Sequence, residues 1–301
     1  MYAECDEMKL AATDGLQLAA TRWGTPTAPA TVVYVHGFLE DSSIWAEVAQ
    51  RVHERVEGGI AQLVYDQRGQ GHSGNPSRRL TTTMRQLAED LDTVLTYASG
   101  SIVLVAHSTG SLIVHAWAEH YPQRAAALSG LVVLNGGAEF PETPGLPRRY
   151  RRRAQQLRRW RHGPLESAAT ASASMLRRKL RRVSTGAATN LLSARCDARV
   201  LIDVLDALYR AALSEDTAQR LRTVPSFVLT GEHDRIVPPT QSIRLADRIW
   251  SELDIVPGGD HRLPCTSPDR VVDAILEVLE IVHHSKRIVS TGLSDDAEDL
   301  L

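Results

Sequence analysis

The chain has 301 residues, of which 43% are hydrophobic, and a formal net charge of −2. That length and apolar share suffice for one large buried core, and the balanced charge argues against a disordered chain or a general nucleic-acid binder. Cys5, Cys196 and Cys265 lack the spacing of a disulfide framework or a zinc knuckle, so a reducing, cytoplasmic location is expected. The start, "MYAECDEMKL", has no apolar signal core, and no apolar run approaches the roughly 20 residues that span a bilayer.

The first predicted elements are two strands, "EMKLAA" and "LQLAATRW", joined at Asp14-Gly15, a hairpin signal. "TVVYVHG" (31–37) reads as a buried central strand. Residues 43–57 read as a helix with Trp45, Val48, Val52 and Val56 on one face. "AQLVYDQRGQGHSG" (61–74) is a strand running into a glycine-rich loop. The next helix, 82–98, carries Leu87, Leu91, Val94 and Leu95 at helical spacing. "SIVLVA" (101–106) is another buried strand, and 108–122 is a helix that Pro122 helps to end. "LSGLVVLNG" (128–136), "SFVLTG" (226–231) and "ELDIVPGG" (252–259) supply further strands. A last helix covers 268–283. Apolar strands alternating with helices predict an α/β fold with a mostly parallel sheet covered on both faces.

Residues 138–222 interrupt this alternation with helical texture and no convincing strand. They are read as an inserted lid, between core segments 1–137 and 223–284. Between Arg148 and Arg182 stand thirteen basic residues and one acid, Glu166. That is +12, against −14 for the rest of the chain within the total of −2. A solvated helical face accounts for such charge, as does attraction of an anionic substrate, an acyl carrier or an anionic amphiphile. Arg152, Arg153, Arg178 and Arg182 are the candidate contacts. The last stretch, 285–301, is acidic and reads as a flexible tail.

Ser108 lies in "VAHSTGSL" (105–112), between a strand and a helix. A serine presented on such a sharp turn needs small neighbours, the reason behind the G-x-S-x-G pattern. Here Ala106 replaces the first glycine and Gly110 keeps the second. Taken alone, Ser108 is also readable as the N-cap of a structural helix, the less favoured alternative.

Four motifs in order give the stretch its context: "HGF" (36–38), "DQRGQGHS" (66–73), "AHSTG" (106–110), and "GEHDRIVP" (231–238) followed by "GGDHRLP" (258–264). With these the chain resembles the α/β-hydrolase superfamily, in its lidded serine esterase/lipase-like branch. The resemblance covers about residues 8–136 and 222–283. It implies Ser108 as nucleophile, Asp234 as the acid and His261 as the base, in the hydrolase order. It implies an oxyanion hole from the backbone N–H groups of Phe38 and Thr109, with His36, Gly37, Asp66, Arg68 and Gly110 as loop scaffold. Asp260, beside His261, is unusual, and whether it tunes that histidine stays open.

The expected activity is hydrolysis of a small or medium carboxylic ester through an acyl-enzyme. The same pattern admits a thioesterase, a C–C bond hydrolase, a lactonase, a cofactor-free haloperoxidase/perhydrolase-like enzyme, or a non-catalytic binding protein on the same scaffold. The expected partner is a small-molecule acyl substrate, with no nucleic acid and no transmembrane segment. No cofactor and no metal site is expected, because the histidines are scattered. The oligomeric state is left open.

Overall fold

In a computed structural model, residues 5–77, 82–140 and 198–295 are described, without the side chains of 198, 199, 201 and 286–295. Strands β1 (Cys5–Ala11), β2 (Gln17–Trp23), β3 (Ala30–Val35), β4 (Ala61–Tyr65), β5 (Ser101–His107), β6 (Gly130–Leu134), β7 (Ser226–Gly231) and β8 (Glu252–Val256) form one sheet. Their order is β1-β2-β4-β3-β5-β6-β7-β8. β1 and β2 form the expected antiparallel hairpin, and β2 also runs antiparallel to β4. From β4 to β8 every pairing is parallel.

The central strands are apolar on both sides because both sides are covered. Successive side chains of a strand point to opposite faces. Val32, Tyr34, Val103, Val105, Val132 and Leu134 therefore enter one core cluster. Val33, Val35, Leu104, Ala106, Leu131 and Val133 enter the other. Helices α1 (Ala46–Arg55) and α9 (Pro268–Asp295) cover the first face, through Val48, Val52, Val271, Ile275 and Val278. Helices α2 (Met84–Leu95), α3 (Gly110–His120) and α7 (Pro239–Ile249) cover the second, through Leu87, Leu91, Val114, Leu245 and Ile249. Each such fully buried Val or Leu contributes about 1.5–3 kcal/mol relative to exposure. A short α4 (Pro122–Ala126) links α3 to β6, and α8 (Leu263–Thr266) precedes α9.

Two helices depart most from the sequence reading. α7 stands where the sequence reading has no element. Its start, Pro238-Pro239 followed by Thr240, Gln241 and Ser242, has loop chemistry, yet Ser242, Leu245, Ala246 and Ile249 line one buried face. α9 runs on to Asp295, so the first part of the expected tail is helical backbone. In the region read as a lid, α5 (Ala198–Leu208) and α6 (Glu215–Leu221) are helices, and Glu139 forms an isolated bridge with Ala212. The arginine-rich window 148–182, with Arg152, Arg153, Arg178 and Arg182, lies outside the described residues.

Candidate active site

The C-terminal ends of β3, β5, β6 and β7 deliver the candidate residues to one edge of the sheet, where open α/β sheets place their sites. β5 ends at His107, and α3 begins at Gly110. Ser108 makes the turn with φ 53°, a left-handed conformation costly for a residue with a Cβ. Its N–H donates to Leu134 O at 2.8 Å, which holds the strained residue against β6. The turn also brings α3 against β3. A Cβ at Gly110 would lie 2.5 Å from Val35 O, so only glycine fits there. Ala106 is instead a fully buried strand residue, paired with Val35 and Val133, where one methyl is core packing.

Asp234 and His261 come together as the resemblance implied. His261 Nδ1 lies 2.7 Å from Asp234 Oδ2. Asp234 Oδ1 accepts from the N–H groups of Ile236 and Val237 at 2.8 and 2.9 Å. The acid is thus buried and fully engaged, as an orienting carboxylate must be. Among the described residues no hydrogen bond joins Ser108 Oγ to His261. Such bonds often tighten only with substrate in place. Asp260 turns elsewhere: its Oδ1 accepts from Arg262 N at 2.9 Å and Thr266 Oγ1 at 3.0 Å, serving the start of α8.

Phe38 is half-buried beside the elbow, and Thr109 is the N-cap residue of α3. Among the described residues neither backbone N–H donates to a protein acceptor. The N–H of Gly37 is committed to Glu40 Oε2 at 2.7 Å. Gly37 lies so close to the elbow that a Cβ there would sit 3.1 Å from Ser108 Cβ. His36 is fully buried. Its Nε2 accepts from Gln67 N at 3.0 Å, and its Nδ1 donates to Gly37 O at 2.8 Å. Both ring nitrogens are thus spent on backbone groups of the neighbouring loops.

The other scaffold residues sit in the loop after β4. Asp66 accepts from Ser42 N and His72 N, each at 2.7 Å. Burial alone would raise its pKa, but these bonds outweigh burial and hold the carboxyl below its ordinary value. Arg68 is fully buried, with Asp90 bound bidentately at 2.6 and 2.5 Å and Asp14 at 2.9 Å.

Two residues not singled out from the sequence also belong here. Asn135, at the end of β6 with φ 47°, accepts from Gly231 N at 2.8 Å and donates to Asp260 O at 3.1 Å. It ties the end of β7 to the histidine loop. The "LNGG" turn held the signal, since asparagine tolerates left-handed backbone. Glu40 is buried at 6% exposure and lies 2.8 Å from His107 Nδ1. Nothing in its local sequence marks it. Among the described residues no group of three or more His, Cys, Asp or Glu is arranged to hold a metal ion, and no helix is long and apolar enough to cross a membrane.

A largely parallel sheet with a left-handed serine at its nucleophile turn, followed by an acid and a histidine on later loops, defines an α/β-hydrolase of the serine type. The insertion between β6 and β7 is the place where this class carries its lid. The chain belongs to the Hydrolase_4 family, described as serine aminopeptidase S33, whose model matches residues 26–265. It is 26% identical over 270 residues to a monoacylglycerol lipase of Mycolicibacterium smegmatis, covering 85% of this chain and 90% of that one. A thermophilic esterase from Thermogutta terrifontis is 26% identical, with a TM-score of 0.66 over 92% of this chain and 99% of that one. The esterase EaEST from Exiguobacterium antarcticum shares the fold at a TM-score of 0.71 and 17% identity, over 91% and 100% of the two chains.

Proposed function

We propose that this protein hydrolyses a small or medium carboxylic ester through an acyl-serine intermediate. The observation that carries the reading is the Asp234–His261 pair at 2.7 Å, on the same edge of the sheet as the left-handed Ser108. His261 Nε2 takes the Ser108 proton as Oγ attacks the ester carbonyl carbon, and Asp234 stabilises the imidazolium that forms. The carbonyl oxygen becomes an oxyanion and accepts from the N–H groups of Phe38 and Thr109. Collapse breaks the C–O bond to the leaving alcohol, which receives the proton from His261. Water, deprotonated by the same histidine, then releases the acid and regenerates Ser108.

The name of the M. smegmatis relative directs the substrate search toward esters with one acyl chain. The family description adds a second class to test, aminoacyl amides. The arginines at 152, 153, 178 and 182 favour an acyl substrate with an anionic group or carrier. The few cysteines fit a reducing compartment such as the cytoplasm.

The test joins labelling to turnover. A fluorophosphonate probe should form its adduct on Ser108, located by peptide mass spectrometry, and p-nitrophenyl esters should turn over faster than aminoacyl p-nitroanilides. An adduct absent from Ser108 in folded protein across several probes refutes the mechanism. Faster turnover of the anilides refutes the ester assignment alone.

A further inference from the structure

The residue before the nucleophile makes contacts that a core histidine does not need. His107 is fully buried at the end of β5. Its Nε2 lies 2.8 Å from the carbonyl oxygen of His261, and its Nδ1 lies 2.8 Å from Glu40 Oε2. That same carboxylate oxygen already accepts the Gly37 N–H at 2.7 Å. The carbonyl accepts only, and an ionised carboxylate accepts only. Both ring nitrogens must then donate, so His107 is an imidazolium facing a carboxylate. The ring centroids of His107 and His261 are 5.0 Å apart, and Trp45 presents an edge to His107 at 6.4 Å.

We propose that Glu40 and His107 are positioning residues, a buried ion pair that fastens the histidine loop and the Gly37–Phe38 loop to the nucleophile turn. The inference rests on Ser108 and His261 acting as nucleophile and base. His107 is bonded covalently to Ser108, holds the His261 carbonyl through Nε2, and holds the Gly37 amide through Glu40. Three separate loops thereby share one anchor.

The charged and titratable groups facing the pair are His36 at the end of β3, Asp234 after β7, His261, and Cys265 on α8. Burial opposes charge on both partners, yet their mutual attraction wins. The Glu40 carboxyl is held below its usual range, and His107 is held above its own. A histidine with a raised pKa keeps its second proton below that value and loses it as pH rises through it. The proton on Nδ1 faces an anion and stays, so Nε2 gives up its proton and the His261 carbonyl loses its donor. The anchor therefore fails on the alkaline side.

Glu40→Gln separates charge from geometry. With its amide oxygen where Oε2 stands, this substitution keeps an acceptor for both Gly37 N and His107 Nδ1 but removes the negative charge that holds the second ring proton. In histidine-labelled wild-type protein at neutral pH, nitrogen NMR should show both His107 nitrogens protonated, the signal being identified by its loss in His107→Gln. In Glu40→Gln only one should be protonated. Glu40→Ala should lower kcat about a hundredfold with little change in KM, as expected when a base is misplaced rather than removed. Glu40→Gln should move the alkaline fall in kcat to lower pH and regain most of that loss below it. A neutral His107 in the wild type, wild-type kcat in Glu40→Ala, or an unchanged alkaline limb in Glu40→Gln overturns the proposal. If Glu40→Ala fails to fold, the wild-type spectrum and the Glu40→Gln profile decide. Fluorophosphonate labelling of the wild type keeps the two readings apart. An adduct on Ser108 with a neutral His107 defeats only the anchor, whereas no adduct on Ser108 defeats the nucleophile as well.

Discussion

Two buried charge clusters stand a short way past the ends of neighbouring strands, and they differ in kind. Beyond β4, Arg68 binds Asp90 and Asp14. Beyond β3 and β5, Glu40 binds His107. Burial works against the Arg68 charge, but the two carboxylates outweigh it and raise its pKa still further, so it is charged at every working pH. Its partners lie on the β1–β2 turn and on α2, away from Ser108. The Glu40–His107 pair is titratable, and its remaining hydrogen bonds go to the backbone of the loops that carry the proposed chemistry. One cluster braces the scaffold, whereas the other is placed to affect turnover.

Four substitutions can break or sharpen that contrast. The largest effect is expected from Ser108→Ala, which should lower kcat by about six orders of magnitude, as loss of a triad nucleophile does, while substrate binding and unfolding midpoint change little. Asp234→Asn should follow at about four orders of magnitude in kcat, because the asparagine favours the wrong tautomer of His261. Both are measured by steady-state kinetics beside denaturant unfolding.

Arg68→Met should do the opposite. Asp90 would be left buried without its partner, at a cost of about 3–5 kcal/mol in unfolding free energy, whereas the folded fraction keeps its kcat. Unchanged stability with lost activity in Arg68→Met would merge the two clusters into one functional unit. The smallest effect belongs to a third buried group, His115 on α3. Among the described residues neither of its ring nitrogens has a hydrogen-bond partner. Burial, helped by Arg248, pushes its pKa down to about 3, so the folded state keeps the ring neutral. The unfolded chain takes up a proton near the ordinary histidine value, so stability falls as pH drops from about 6.5 toward that lower value. His115→Leu should flatten this part of the stability–pH curve, read from urea midpoints across the range. An unchanged slope would show that other groups set it.

The sequence displayed the periodic parts of the molecule. Runs such as "TVVYV" and "SIVLV" announce strands buried on both faces, and the resemblance carried by four motifs in order is what led to Ser108, Asp234 and His261 as a triad. Helix α7 was hidden because its first turn is built from proline and small polar residues, and only its later apolar spacing reveals it. The end of α9 was hidden because its final turns hold Ser290, Thr291, Gly292 and Ser294, residues of low helix propensity that read as a stop. Glu40 and Asn135 were hidden for another reason. Their roles come from partners far along the chain: Glu40 meets a residue 67 positions away, and Asn135 reaches across 96 and 125. No local pattern distinguishes such a carboxylate from a solvated one.

The staple made by Asn135 has a consequence for how this enzyme can change over time. The chain leaves the sheet after Leu134 and returns at Ser226, yet the two strands are paired side by side and Asn135 fastens their far ends together. Just beyond that staple, Leu213 N donates to Ala138 O at 2.6 Å and Glu139 bridges Ala212, so the root of the excursion is closed by contacts outside its interior. Evolution, or an engineer, can therefore exchange the insertion as a cartridge and try new acyl groups against an unaltered triad.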